Sequence, residues 1–437
     1  MNNLWEQAAA LQGEMVARRR DLHKHPESAW TEFRTASMVV RELQALGYNV
    51  AYGAAVVHKE SMMGVPSAAQ LKACEERALA EGADPEIIAA MEGGLTGVVA
   101  VLETGKPGKT VAFRFDMDCN DVEEAKDPAH RPAVEGFASI HTNAMHACGH
   151  DGHTTIGLAL AKLLAANKES LAGTVKLIFQ PAEERYHGAQ SIVDNGHVDD
   201  VEYFLSVHMA LTGEGYPLPS NSICCGCKDF LSDDQLDITF HGREAHPCGA
   251  SQEGKNALLA ACTAAINIHA IAPHEAGLCR VNVGILNAGE AVNTIAGNAF
   301  MSVEYRGSTQ EVAQYARKRI IDILDGAVKA YDMEYTMNDL GEIPASASDD
   351  AIMEIVQRAA EKTPWFSKIY FEGSVGGTDD VSVMINKVHE NGGLATYIGI
   401  GCDTTQPLHN AEFDLDEDSI PAAIEMLIHA VEEINRR

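Results

Sequence analysis

The chain has 437 residues, 46% of them hydrophobic, and its 33 basic against 63 acidic side chains leave a formal charge of −30. That length exceeds one simple core and predicts two domains, and no apolar run is long enough to cross a bilayer. So acidic a chain repels nucleic acid and anionic membrane, which are therefore not expected partners, and an acidic small molecule would need a local cation at its binding site.

Residues 3–48 read as helix in two pieces. The first ends at Arg18-Arg-Arg-Asp-Leu-His23-Lys-His25-Pro26-Glu27, where the proline breaks it, and the second runs from Thr31 to Leu46 and stops at Gly47. The amphipathic N-terminus lacks the basic stub, apolar core and cleavage site of a secretory signal. With ten scattered cysteines, this favours a reducing, cytoplasmic location. His23 and His25 fall at a helix end and are read as structural. Residues 61–92 look inserted, a charged helix followed by a shorter apolar one, between strand-like stretches. Gly97 to Glu103 and Thr110 to Phe115 are expected strands, joined by the turn Gly105-Lys-Pro-Gly108.

The densest chemistry follows, in Ile140 to His153 (IHTNAMHACGHDGH). A thiol and an imidazole two residues apart, Cys148 and His150 with Gly149 between them, can turn onto one cation, and zinc and manganese accept such donors. The same residues admit a second reading, in which Cys148 is a nucleophile with His150 or His153 as its base. Thr155 to Ala166 is an apolar helix. Gly173 to Phe179 is a buried strand ending in Gln180-Pro181-Ala182-Glu183-Glu184, and Tyr203 to Val207 is a strand ending at His208. This alternation predicts an α/β domain. Cys224, Cys225 and Cys227 have no matching second pair to complete a structural metal site.

The pattern then becomes βαββαβ: strands at 235–240, 280–286, 300–305 and 333–337, with helices at 256–271 and 310–331. This is a self-contained two-layer unit. It predicts a first domain formed by 1–227 and 345–437, interrupted by a second at 228–344. Helix and strand alternation resumes after Asp349 and ends in a helix from Ser419 to Asn435.

Functional groups gather at the carboxyl ends of strands in open α/β sheets. Asp116-Met-Asp118, Glu183-Glu184 and His208 stand at such ends, and His409 lies in the late loop 401–410. Adjacent carboxylates on an irregular turn can divide the work, one binding metal while the other handles protons; a solvated pair facing water is the plainer alternative.

The combination HACGHDGH, QPAEE, a strand ending in histidine and a late-loop histidine resembles the M20 metallopeptidase and amidohydrolase family, over nearly the whole chain. It is most similar to the branch that cleaves N-acyl amino acids. The 61–92 segment, Glu135-Gly-Phe-Ala-Ser139 and LHNAEFDLDED at 408–418 narrow the likeness to members acting on p-aminobenzoyl-glutamate-like conjugates. The resemblance implies a catalytic three-layer α/β/α domain with a zinc-peptidase-like sheet, and an inserted α+β lid or dimerisation domain. It implies Cys148, His150, Glu184, His208 and His409 as ligands of two divalent ions, with manganese favoured over zinc, and Glu183 as general base and acid. Asp116 and Asp118 are expected to orient ligands. His246 is expected to polarise the scissile carbonyl, Asn293 to contact substrate, and Arg306 either to clamp a substrate carboxylate or to form an ion pair within the lid. Gly376-Gly377 stand where the family's Glu-Asp pair is expected. The implied activity is hydrolysis of the amide of N-acyl or N-aroyl amino acids, with other conjugates such as hippurate or indole-acetyl-aspartate, or dipeptides, as alternatives. The implied partner is a second copy or a homologous second subunit. The remaining reading is a non-catalytic component of such a two-part hydrolase.

Overall fold

Four apolar runs, Thr174–Gln180, Thr110–Asp116, Tyr203–Met209 and Leu394–Ile400, are buried on both faces and lie side by side in parallel. Continuous burial of this kind is what parallel strands covered by helices require. In the computed structural model, which describes residues 4–436 other than Tyr186, these strands form the middle of an eight-stranded mixed sheet. Asn49–Tyr52 and Val98–Glu103 extend one side, and Ser222–Cys224 and Lys368–Tyr370 the other. The chain divides into two units, 1–228 with 347–437, and 229–346.

In the first unit, helices Gln12–Lys24, His150–Ala166, Ile420–Asn435 and Asp350–Ala360 form one connected group against the sheet. Gly188–Asp194 and Val381–Glu390 pack on each other and on the strands beside them. The helix expected from Thr155 begins five residues earlier, at His150, directly after Gly149 in a left-handed conformation. Its first turn is polar and carries the histidine motif, so apolar periodicity alone does not reveal it. The segment 61–92 contributes helices Ala68–Ala80 and Pro85–Ala90. Ser67 and Gln70 form a reciprocal capping box on the first, and Asp84 with Pro85 starts the second.

The second unit is a four-stranded antiparallel sheet in the order Cys279–Ala288, Asn298–Gly307, Asp233–His241, Glu334–Ile343. Helices Ala257–His269 and Gln310–Ala330 cover one face. Burial alternates along Asn298–Gly307, as expected when only one face is packed. Leu236, Ile238, Phe240, Met301 and Val303 meet Ala260, Ile320 and Leu324 there.

Under the histidine motif lies a buried ionic cluster. Arg19 is wholly buried, and its guanidinium pairs with Asp151 at 2.8 Å and Asp414 at 2.7 Å. His23 bridges Asp151 at 2.8 Å and Glu124 at 3.0 Å, which confirms a structural place for it. Burial and Arg19 oppose charge on His23, but its hydrogen bonds to the two carboxylates hold its pKa above the ordinary value. Removing one member of such a cluster strands the others in a poor solvent. Arg19→Ala is therefore expected to lower the unfolding free energy by about 3–5 kcal/mol, measured by urea denaturation.

Candidate active site

The carboxyl ends of the four parallel strands deliver one functional segment each: Asp116–Asp118, Pro181–Glu184, His208 and, through a longer loop, His409. Helix His150–Ala166 adds the end of the histidine motif. Cys148 Sγ lies 3.5 Å from His208 Nε2, and His208 Nδ1–H donates to the Met209 carbonyl at 2.5 Å. His150 Nδ1–H donates to the Asp118 carbonyl at 2.9 Å, which turns Nε2 toward Glu183 and Glu184, each 3.8 Å away. His409 Nε2 lies 3.5 Å from Glu184, and the His409 backbone N–H donates to the Ala147 carbonyl at 2.8 Å. The donor atoms of Cys148, His150 and His208 lie within 4.8 Å of one another, as do those of Cys148, Glu184 and His409. The structure thus brings together all five side chains that the resemblance implied as ligands.

Two atoms in this cluster argue for a cation. His150 Nε2 and Glu184 Oε1 are buried and have no hydrogen-bond partner, a costly state for polar atoms unless something of opposite character meets them. Thiol, imidazole and carboxylate donors at this spacing fit one or two divalent ions. The electrostatics agree. Burial lowers the His150 pKa, but the carboxylates of Asp116, Asp118 and Glu184 outweigh it and hold the value up to about 10. Burial, then Glu184 and Glu183, push the Cys148 thiol well above its usual range. Burial and His153 keep His208 neutral. The surrounding carboxylates therefore set a negative potential at the cluster, which a proton on His150 or a bound cation answers.

His153 does something different. Its Nδ1–H donates to Asp116 at 2.6 Å and its Nε2 accepts the Met209 N–H at 2.8 Å, so both nitrogens are committed. It orients the backbone beside His208. Asp118 accepts the N–H groups of Glu183 and Glu184 at 2.9 Å each and so fixes the turn on which both carboxylates stand.

Behind Glu183 lies a group the sequence reading missed. Arg114, fully buried in the middle of its strand, binds Asp116 at 2.7 Å, Asp379 at 3.1 Å and Asp380 at 3.3 Å. Tyr397 Oη donates to Asp379 at 2.6 Å. The carboxylates of Glu183, Asp379 and Asp380 lie within 4.8 Å of one another. Burial first, then Asp379, Glu184 and Asp380, raise the Glu183 pKa well above the carboxylate range. Gly376 and Gly377 face open space, and the acidic pair near the site is Asp379-Asp380 at the head of helix Val381–Glu390. A charged residue inside an apolar strand and an Asp-Asp doublet opening a helix were the available signals.

The remaining expected residues belong to the second unit. His246 is exposed, and its Nδ1 accepts the N–H groups of Cys248 at 3.2 Å and Gly249 at 3.0 Å, leaving the proton on Nε2. The segments of His246 and Asn293 are joined by the bridge of Ala245 to Ile295, and Asn293 is exposed. Arg306 pairs with Glu304 at 2.6 Å and Asp233 at 2.7 Å.

Fold and donor set are those of a hydrolase built on a mixed α/β sheet. The chain belongs to peptidase family M20/M25/M40, whose family model matches residues 112–433. It is 42% identical to one of the named subunits of the p-aminobenzoyl-glutamate hydrolase of Escherichia coli K12, over 94% of this chain and 93% of that one. It is 41% identical to indole-3-acetyl-aspartic acid hydrolase of Enterobacter agglomerans, over 95% and 94% of the two chains. Among solved structures it is similar to an aminobenzoyl-glutamate utilization protein from Klebsiella pneumoniae, with a TM-score of 0.78, 37% identity and 98% of both chains covered. The fold is shared with a dinuclear metal binding peptidase of Bacillus subtilis at a TM-score of 0.71 and 22% identity, covering 97% of this chain and 98% of that one. Among the described residues no helix is long and apolar enough to cross a membrane.

Because both nitrogens of His153 are spent on protein partners, His153→Ala is expected to lower stability by about 2–3 kcal/mol in urea denaturation with excess chelator present.

Proposed function

We propose that the chain is a metal-dependent amidohydrolase that cleaves the amide between an acyl or aroyl group and an acidic amino acid, with p-aminobenzoyl-glutamate-like conjugates as its preferred substrates. The observation that carries this is the convergence of Cys148, His150, Glu184, His208 and His409, with His150 Nε2 and Glu184 Oε1 buried and outside any hydrogen bond, beside the separate carboxyl group of Glu183. These five are the proposed holders of two divalent ions. When bound, such ions supply Lewis-acid polarisation of a carbonyl and a water that is easier to deprotonate. Glu183 takes the proton from the attacking water and passes it to the leaving amine nitrogen, and its raised pKa suits it to carry that proton.

His246 is the proposed donor to the substrate carbonyl oxygen, for which the proton on Nε2 is the correct tautomer. Asn293 is proposed to contact substrate. Arg306 can serve as a carboxylate clamp only by exchanging Glu304 or Asp233 for the substrate, since it pairs with both. The preference for an acidic amino acid is supported by the relatives, one named for a glutamate conjugate and one for an aspartate conjugate. The donor set mixes sulfur, nitrogen and oxygen and is compatible with manganese or zinc. Strand Cys279–Ala288 is a sheet edge with Ile285 and Leu286 exposed, and Leu258, Leu259 and Ile266 are exposed on the neighbouring helix. This face supports a homodimer or pairing with a homologous second subunit.

The purified single chain, loaded with manganese or zinc, is expected to hydrolyse p-aminobenzoyl-glutamate or indole-acetyl-aspartate faster than hippurate or acetyl amino acids. Full activity after exhaustive chelation would contradict the proposal. Glu183→Ala is expected to lower kcat by about a thousandfold or more while the protein retains its metal, measured by steady-state kinetics and elemental analysis.

A further inference from the structure

The turn that carries Glu183 and Glu184 is held by two carboxylates, and only one of them belongs to a strand end. Three successive backbone N–H groups point outward from it. Asp118 takes those of Glu183 and Glu184. The third, from Ala182, is taken at 2.8 Å by Oε1 of Glu32, a fully buried residue from the N-terminal segment. The same oxygen accepts the Trp30 N–H at 3.1 Å, and Oε2 accepts the Thr96 hydroxyl at 2.6 Å.

Ala182 is the strained point of the turn. Its φ is +54°, in the left-handed region that an alanine seldom adopts. Its carbonyl accepts the Gly188 N–H at 3.3 Å, and a Cβ on Gly188 would lie 1.6 Å from the Pro181 carbonyl oxygen, so the turn closes on itself with no space to spare. A backbone held in a disfavoured conformation needs an external grip, and Glu32 supplies it at the residue where the conformation is disfavoured. Rotation at Ala182 would swing Glu183 and Glu184 away from their present positions together.

We propose that Glu32 is a positioning residue for the hydrolytic site, holding Ala182 in its left-handed conformation so that Glu184 faces the donor cluster and Glu183 the reacting atoms. This rests on the hydrolase reading above. It also gives the 61–92 segment a mechanical tie to the site. Thr96, on the way out of that segment, grips the same carboxylate, and the Trp30 indole N–H donates to the Met63 carbonyl at 2.8 Å.

The test compares Glu32→Asp, Glu32→Gln and Glu32→Ala with the parent chain. Aspartate keeps a carboxyl group but withdraws its oxygens by one methylene. Glutamine keeps an acceptor at the reach of Oε1 and can donate to Thr96, whose hydroxyl then turns to the Gly94 carbonyl, 3.4 Å away. At saturating metal the aspartate and alanine variants are expected to lose about tenfold or more in kcat with KM within about threefold, while glutamine stays within about threefold of the parent. Amide hydrogen exchange of peptides spanning 181–185, measured on chelated protein, is expected to quicken in the aspartate variant and not in the glutamine variant. Elemental analysis after gel filtration is expected to show reduced metal retention in the aspartate variant. If alanine prevents folding, the aspartate–glutamine contrast decides alone. Parent-like kcat and exchange in the aspartate variant, or glutamine as damaging as aspartate, overturns the proposal. A parent chain inactive on every conjugate sinks the hydrolase reading instead, and hydrogen exchange then decides the role of Glu32 by itself.

Discussion

Burying several acids at one end of a sheet is the constraint around which the site is built. Asp116, Asp118, Glu183, Asp379 and Asp380 are all nearly or wholly out of water, with Glu184 and the Cys148 thiol beside them. Like charges at these distances repel strongly where solvent cannot screen them. Two different remedies are visible. On the side of Asp116, Asp379 and Asp380, the answer is covalently part of the chain, the Arg114 guanidinium. On the side of Cys148, Glu184 and His150, no arginine or lysine among the described residues pairs with the donors, and His150 Nε2 and Glu184 Oε1 face each other at 3.8 Å without a hydrogen bond. The first set is gathered around a fixed cation and serves as scaffold. The second fits a cation from solution. Glu183 sits on the border, touching both sets, a place that suits the proton-carrying role proposed for it.

Much of this was legible in the sequence because the family's motifs carry it. Cys148 and His150 sit in one short run, Glu183 and Glu184 in another, and His208 and His409 follow apolar strands that read plainly as buried. What pattern reading could not supply was the direction of each side chain. His150 and His153 are three residues apart on one helix and look equivalent, yet one keeps a nitrogen free and the other spends both on Asp116 and Met209. Only the partners distinguish them. Asp379 and Asp380 receive no role from the sequence because the stretch 373–380 resembles the family only loosely, and Gly376 and Gly377 stand where its acidic pair is expected. Arg114 was hidden in a strand that is otherwise apolar. Its position opposite Ile178 and Ser206, two residues before Asp116, becomes meaningful only once the strand order is known.

The two units differ in how they use their strands. The first buries both faces of its parallel strands and concentrates its chemistry at one end. The second buries one face of an antiparallel sheet and leaves an edge strand and several apolar side chains exposed. The segment 61–92 follows neither plan. Its helices are capped by their own residues, and they meet the rest of the first unit through helix Phe33–Ala45 and through hydrogen bonds near Trp30 and Thr96.

Sulfur among oxygen and nitrogen donors carries a liability. Cys148 is sheltered but not sealed, and the donor cluster it belongs to opens toward solvent at His409, more than half of whose side chain is exposed. Thiolates prefer soft ions to hard ones by a wide margin. On the proposed metal-dependent reading, cadmium, mercury or cuprous copper would compete for the Cys148 sulfur and occupy the cluster without doing its chemistry.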